Sequence, residues 1–446
     1  MRAGLVLGLM VSASTLMVVS GCSLFDGDDS KAPLPGERIS VLELQKALET
    51  PAVSTKTAQG VVVGAPVSTD TWPMTGANAQ HVMPHAALKI DGLEKAWSVD
   101  IGSGGDDDVP LTAQPVLAHN MIYTLDTSAQ VSAFDAISGQ EIWRNSIQPG
   151  EEDEAILGGG LAAGSDALYA TNGYAELLAL NLKEGGIFWR VKLAAPTRSA
   201  PTVMGLNVYV LTQDNRLNAF DARSGQKLWD YEGVSEAASL VGGASPAAND
   251  QIVVAPLSSG ELTALHIENG AVIWSDTLSP RLQTGSAATL PDIAGHPVID
   301  GGQVVALSYG GKIVCLDTIS GARIWERDIG GAKTPLVSGN TIFFVTANNE
   351  LVALSHTDGA LLWVSDLTAY TQDDDTPANS LLWNGPILAG GALVLTTQDE
   401  EVLFISPRDG SVLKRVSLGA RAAVSPLAAQ GTLYILGDDG TLSAWR

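Results

Sequence analysis

Cysteine is the rarest reactive residue in this chain, and its two copies keep different company. Cys22 follows Val19-Ser20-Gly21, small residues that close an apolar run from Leu5 to Val19 behind the basic Arg2. A run of that length has the size of a secretory leader and is short for a membrane span. Small residues just before a cysteine are the cleavage pattern of a bacterial lipoprotein. Residues 1–21 are therefore expected to be removed, leaving Cys22 to carry the lipid; an ordinary leader with a chance cysteine is the alternative. Ser23, where Asp would mark retention at the inner membrane, favours the outer membrane. Cys315 lies in the strand-like run Lys312-Ile313-Val314-Cys315-Leu316-Asp317 and is expected to pack as a small apolar group. With Cys22 at the anchor, no intramolecular disulfide is expected within the mature fold.

The remaining reactive side chains form no recognisable catalytic pattern. His81 and His85 have the i, i+4 spacing of helical metal ligands, but Pro84 between them opposes a regular helix. A structural strap over 72–88 is the favoured reading. The acidic runs Asp106–Asp108, Glu151–Glu154, Asp373–Asp375 and Asp399–Glu401 lack the spacing of a calcium loop and read as solvated loop tips. Gly158-Gly159-Gly160 lacks the Lys-Ser/Thr of a phosphate loop. A net charge of −24 excludes nucleic acid as a natural partner, because phosphate binding needs clustered Lys and Arg. No cofactor and no metal site is expected.

The elements that hold these residues are one unit repeated. Ala113-Gln114-Pro115-Val116 is followed by Met121–Leu125, by Val131-Ser132-Ala133-Phe134-Asp135 and by Ser138-Gly139-Gln140-Glu141-Ile142-Trp143. The same succession returns at Ala200-Pro201 through Trp229 and at His296-Pro297 through Trp325. Gly-x-x-x-Trp occurs at Gly139/Trp143, Gly185/Trp189, Gly225/Trp229, Gly270/Trp274, Gly321/Trp325 and Gly359/Trp363. A seventh copy has Gly410 but Lys414 in place of Trp, and Trp97 has the strand without the turn. From Trp97 to Lys414 the spacings run from 38 to 51 residues, the period of a four-stranded propeller blade.

Within each unit, alternating apolar positions predict half-buried strands. Asp-x-x-Ser-Gly predicts a hairpin in which Asp135, Asp221 and Asp317 accept backbone hydrogen bonds and glycine takes positive φ. The small residue recurring as Ala133, Ala179, Ala219, Ala264, Cys315, Ala353 and Ala444 is expected to let neighbouring sheets approach. Such a sheet has two apolar faces and cannot stand alone; a closed ring buries both. The chain ends after three strands of its last unit, so the segment around Trp97 is expected to supply the fourth. The fold class is therefore all-β, an eight-bladed propeller closed by pairing an N-terminal strand with the C-terminal strands. A seven-bladed ring stays open if one irregular repeat is miscounted. The expected organisation is a leader (1–21), a lipidated and largely disordered tether (22–71) with a short helix at 41–48, and the propeller (72–446).

These repeats resemble the pyrroloquinoline-quinone-like propeller repeat. The lipobox, tether and blades closing on an early Trp strand together are similar to the BamB family of lipoproteins, in its α-proteobacterial form. Leu282–Ser286 and Leu290–Ile293 resemble that family's long inter-blade loop. The resemblance implies a non-enzymatic periplasmic scaffold, held at the outer membrane by its lipid. It implies binding to the periplasmic domains of BamA in the barrel assembly complex, with unfolded outer-membrane proteins as further partners. Matched position by position, the contact loops are Ser239, Leu240 and Gly242 in one and Asp292 in the other. Val241 stands where the family has Arg, and Ala294 where it has a second Asp, which weakens any charged pairing. Two other classes stay open. A quinone-dependent dehydrogenase would need a calcium and cofactor pocket. A sensor or sugar-binding propeller would need exposed aromatics, for which Trp383, outside the repeat register, is the candidate.

Overall fold

The computed structural model describes residues 60–446 apart from 107, 151–157, 237–239, 241, 279–290, 371–382 and 398. The leader, Cys22, the helix expected at 41–48, Ser239, Val241, Leu282–Leu290 and the acidic runs at 151–154 and 373–375 lie outside the described residues. So does the middle residue of Asp106–Asp108.

Each repeat folds into its own four-stranded antiparallel sheet, and there are eight. Blade 1 is Val116–Ala118, Met121–Leu125, Gln130–Asp135 and Glu141–Ser146. Blades 2 to 7 begin with the innermost strands Gly159–Ala163, Thr202–Met204, Ala247–Ala248, Val298–Asp300, Leu336–Ser338 and Trp383–Ala389. Blade 8 takes Leu427–Ala429, Thr432–Leu436 and Thr441–Trp445 from the end of the chain and Lys95–Asp100 from its beginning. Trp97 pairs with Ala444 and Val99 with Leu442, so the ring closes as expected, with eight blades.

The register explains the repeated small residue. Ala133 is the cross-strand partner of both Tyr123 and Trp143, and partners share a face. Two rings meet across it, their centroids 6.0 Å apart. The same aromatic–small–aromatic row recurs at Tyr169-Ala179-Trp189, Tyr209-Ala219-Trp229, Phe343-Ala353-Trp363 and Tyr434-Ala444-Trp97. Cys315 holds this place opposite Trp325. It is fully buried, and burial pushes its thiol up to about 12, which keeps it protonated and inert.

Each Trp then latches the next blade. Trp97 Nε1 donates to Ile137 O at 3.0 Å and Trp143 Nε1 to Leu182 O at 3.0 Å. Trp189, Trp229, Trp274, Trp325 and Trp363 continue the pattern. The glycine of the receiving hairpin is obligatory at such a junction. Gly139 has φ +75°, and a Cβ there would lie 2.7 Å from the Trp97 ring. The hairpin aspartates act as expected: Asp135 Oδ1 accepts from the backbone N–H of Ile137 and Ser138, and Asp221 and Asp317 do the same. At the junction of blades 7 and 8 the receiving turn is Asp91-Gly92, just ahead of the N-terminal strand, with Gly92 at φ +70° and open space where a Cβ would lie. There Lys414 stands opposite Phe404, and its Nζ donates 2.6 Å to Ile90 O.

The strap is more extensive than a local patch. Asn340 of blade 6 receives Val62, Gln430 of blade 8 bonds Thr69 O, and Leu117 of blade 1 exchanges two bonds with Trp72. Ala163 bonds Pro73 O, and the backbone N–H of Val203 points to Met74 Sδ at 3.5 Å. Ala248 bonds Ala79 O, Ile299 bonds Gln80 O, and Ala86 bonds Leu388 O. All eight blades are touched, and the strap meets its own beginning where Ala86 bridges Val67. These bonds fall at the far ends of the innermost strands, so the strap closes one end of the central channel. Residues 60–71, assigned to the tether by the sequence reading, are part of this circuit. His81 and His85 serve the circuit: His81 Nδ1 donates to Pro297 O at 2.8 Å and His85 Nδ1 to Gly64 O at 2.6 Å, while His85 Nε2 accepts from Gly391 N.

Candidate functional site

The innermost strands are entered through inter-blade connections that commonly end in Pro, as at Pro115, Pro201, Pro246, Pro297, Pro335 and Pro426. Proline presets an extended approach and gives up a donor that the first strand position does not need. The side chains just before these prolines face the channel at the end opposite the strap. They line a cavity of about 550 Å³ that opens to the surface at its mouth. Its deep end reaches strap residues Thr75, Gly76 and Met83, so the channel is a cup with a floor.

The matched loop residues meet at the rim of this cup. Leu240 lies in the connection between blades 3 and 4, Asp292 in that between blades 4 and 5. A third residue, Arg198 from the connection between blades 2 and 3, ties them together. Arg198 Nη1 donates to Asp292 Oδ2 at 3.1 Å and to Leu240 O at 3.0 Å, and Leu240 N donates to the same Asp292 oxygen at 2.8 Å. Asp292 is 1% exposed and the Arg198 side chain 11%. Burial of this kind is tolerated because charge and hydrogen bonds compensate one another. The acidic position is thus a buried strut that holds the backbone of Leu240. Ser239 and Val241 lie outside the described residues. Leu240 is half-buried at the rim, and Gly242 has φ +76°, a turn that other residues resist. At Gly243 a Cβ would sit 3.0 Å from Arg198 Cβ, so the bare backbone there lets the arginine pass.

Further down the cup, His296 Nδ1 accepts from Ser245 N at 2.7 Å, and Lys333 Nζ donates to Asn384 Oδ1 at 2.8 Å. Burial, then the positive charges of His81 and Lys333, hold the His296 imidazole well below its usual range. Burial alone lowers the Lys333 ammonium to about 8. Among the described residues no group of three or more His, Cys, Asp or Glu is placed to hold a metal ion. Trp383, the aromatic expected to be free for a sugar, is 1% exposed in the innermost strand of blade 7. It is core, because the innermost strand of a ring is enclosed on both faces. Sequence reasoning missed Arg198 and Lys333. Their signal was a cation just before a strand-opening proline, in Pro196-Thr197-Arg198-Ser199-Ala200-Pro201 and Lys333-Thr334-Pro335.

The fold and the repeat define the class: an eight-bladed propeller of quinoprotein-type repeats whose channel is floored by its own N-terminal strap. The profile of the family described as outer membrane protein assembly factor BamB matches residues 127–365 and 348–445. The chain belongs to that family. It is 30% identical over 352 residues to outer membrane protein assembly factor BamB of Shigella dysenteriae, covering 78% of this chain and 87% of that one. The crystal structure of BamB from Moraxella catarrhalis superposes with a TM-score of 0.66 at 19% identity, over 79% of this chain and 99% of that one. Quinohemoprotein alcohol dehydrogenase from Comamonas testosteroni also superposes, with a TM-score of 0.65 at 13% identity, over 87% of this chain and 83% of that one. That second likeness shows the fold alone.

Proposed function

We propose that this chain is a non-enzymatic scaffold subunit of the outer-membrane β-barrel assembly machinery. It sits on the periplasmic face of the outer membrane, lipidated at Cys22, and docks the periplasmic domains of BamA with the rim loops at Ser239, Leu240 and Gly242. The observation that carries the docking face is the tie from Arg198 and Asp292 to both backbone groups of Leu240. A loop held from two sides presents its side chain already ordered, which lowers the entropic cost of association. Family membership supports the assembly role. With the charges turned inward, apolar contact by Leu240 supplies the binding energy.

The test is affinity capture of the BamA periplasmic domains on the tagged, intact chain, compared with its Leu240→Asp variant. Capture by the parent and loss by the variant, at an unchanged melting temperature, is the expected result. Equal capture by both removes Leu240 from the interface. No capture by the parent, with dye reduction dependent on added quinone, moves the chain to the dehydrogenases.

A further inference from the structure

Among the described residues, one of the two cations lining the cup has no acidic partner. The two are Arg198 and Lys333. Arg198 is committed to Asp292. Lys333 has no carboxylate partner among the described residues; its ammonium gives one proton to Asn384 Oδ1. Asn384 is itself spent, its Nδ2 donating 3.0 Å to Ala422 O. An ammonium has three donors, so two remain for whatever occupies the cup. Backbone packing holds Lys333 in place: a Cβ at Gly295 would lie 2.7 Å from Lys333 O, and His296 N donates to Thr334 Oγ1.

Around this charge the wall is mixed: apolar Pro110, Leu111, Ala332 and Val424 alternate with polar Thr112, Gln114, Ser199 and Thr334. The volume, about 550 Å³, is that of a small-molecule pocket. Because the strap floors the channel, the occupant is a compact molecule and not a chain threaded through. Apolar Leu111 and Val424 on the same wall suit an organic body better than a bare inorganic anion, which the phosphate arm of the test decides. We propose that the cup is a binding site for a small organic acid, its carboxylate on the Lys333 ammonium and its apolar body against Leu111 and Val424. The cup shares Leu240 and Gly242 with the proposed docking loop, but its carboxylate anchor, Lys333, lies in a different connection.

The test uses the intact chain at one pH and three probes: benzoate, the neutral benzamide, and inorganic phosphate, each titrated by calorimetry. Saturable one-to-one binding of benzoate is expected, with benzamide and phosphate weaker by about tenfold or more, the worth of a charge-assisted hydrogen bond. Lys333→Gln lowers benzoate affinity by about the same factor and leaves benzamide unchanged, while Lys333→Arg retains benzoate. Benzoate should also protect the Lys333 amine from acylation, read by peptide mass. The proposal is overturned if benzoate fails to bind, if benzamide or phosphate binds as well as benzoate, or if Lys333→Gln binds benzoate like the parent. Should Lys333→Gln not fold, the three-probe comparison and the acylation experiment on the parent decide alone.

Discussion

The two ends of the central channel are built from the same eight innermost strands and behave as opposites. At the strap end, the ends of the strands receive backbone hydrogen bonds, and Trp72, Met83 and Ala86 are buried against them. At the rim end, the beginnings of the strands are fed by connections bearing Arg198, Asp292, His296 and Lys333 around an open cup. The strap end spends its side chains on stability. The rim end holds charge and an apolar loop in fixed positions, which is what recognition needs. The comparison shows how a ring with eight equivalent spokes acquires one functional face: an added segment seals the other.

Trp72→Ala should break the strap end most severely. Removing a fully buried indole costs about 3–5 kcal/mol, so a large fall in the denaturation midpoint is expected, with capture of BamA domains retained below that midpoint. At the rim, Arg198→Ala strands the buried Asp292 carboxylate. Loss of one member of a buried pair costs about 3–4 kcal/mol, and here it should also loosen Leu240 and weaken capture; a variant that melts and binds like the parent would dissolve the strut. The same reasoning makes Asp292→Arg destabilising.

A third, somewhat smaller effect is read by pH and is shared by both ends, since burial holds His81 of the strap and His296 of the cup below the usual imidazole range. His81 is buried, and burial lowers its imidazole from 6.5 to about 4. Its neutral form is the folded one, so its contribution is complete above pH 6.5 and declines as pH falls from there toward 4. The unfolded chain binds the proton first, and the total change is about 3 kcal/mol. Urea midpoints measured across that window should drop, and His81→Gln should flatten the slope; an unchanged slope refutes the assignment. Smallest in stability is Leu240→Asp, expected within about 0.5 kcal/mol of the parent, yet costing about 2 kcal/mol or more in BamA binding if Leu240 is a hot spot.

Much of the ring was legible in the residues. The Gly-x-x-x-Trp spacing, the Asp-x-x-Ser-Gly hairpins and the truncated last unit predicted eight sheets closed by Trp97, because each is a local rule read from neighbours in sequence. The site was less legible. Ser239, Leu240, Gly242 and Asp292 were reached only by resemblance, and nothing local said that Asp292 turns inward. Trp383 looked free because it breaks the repeat register, whereas the ring encloses it. Lys414 looked like a lapse in the repeat and instead makes the latch with its ammonium, donating to Ile90 O ahead of the Asp91-Gly92 turn where the other junctions use an indole.

The amino-acid sequence alone determined the blades and the latch between the two ends and favoured eight over seven, since alternation, turn chemistry and period are properties of contiguous residues. The tertiary structure decided which end of the channel is closed, that Arg198 bridges two loops, and that Lys333 faces the cup without a carboxylate partner among the described residues. Those facts depend on residues far apart in the chain, and only closing the ring brings them within bonding distance.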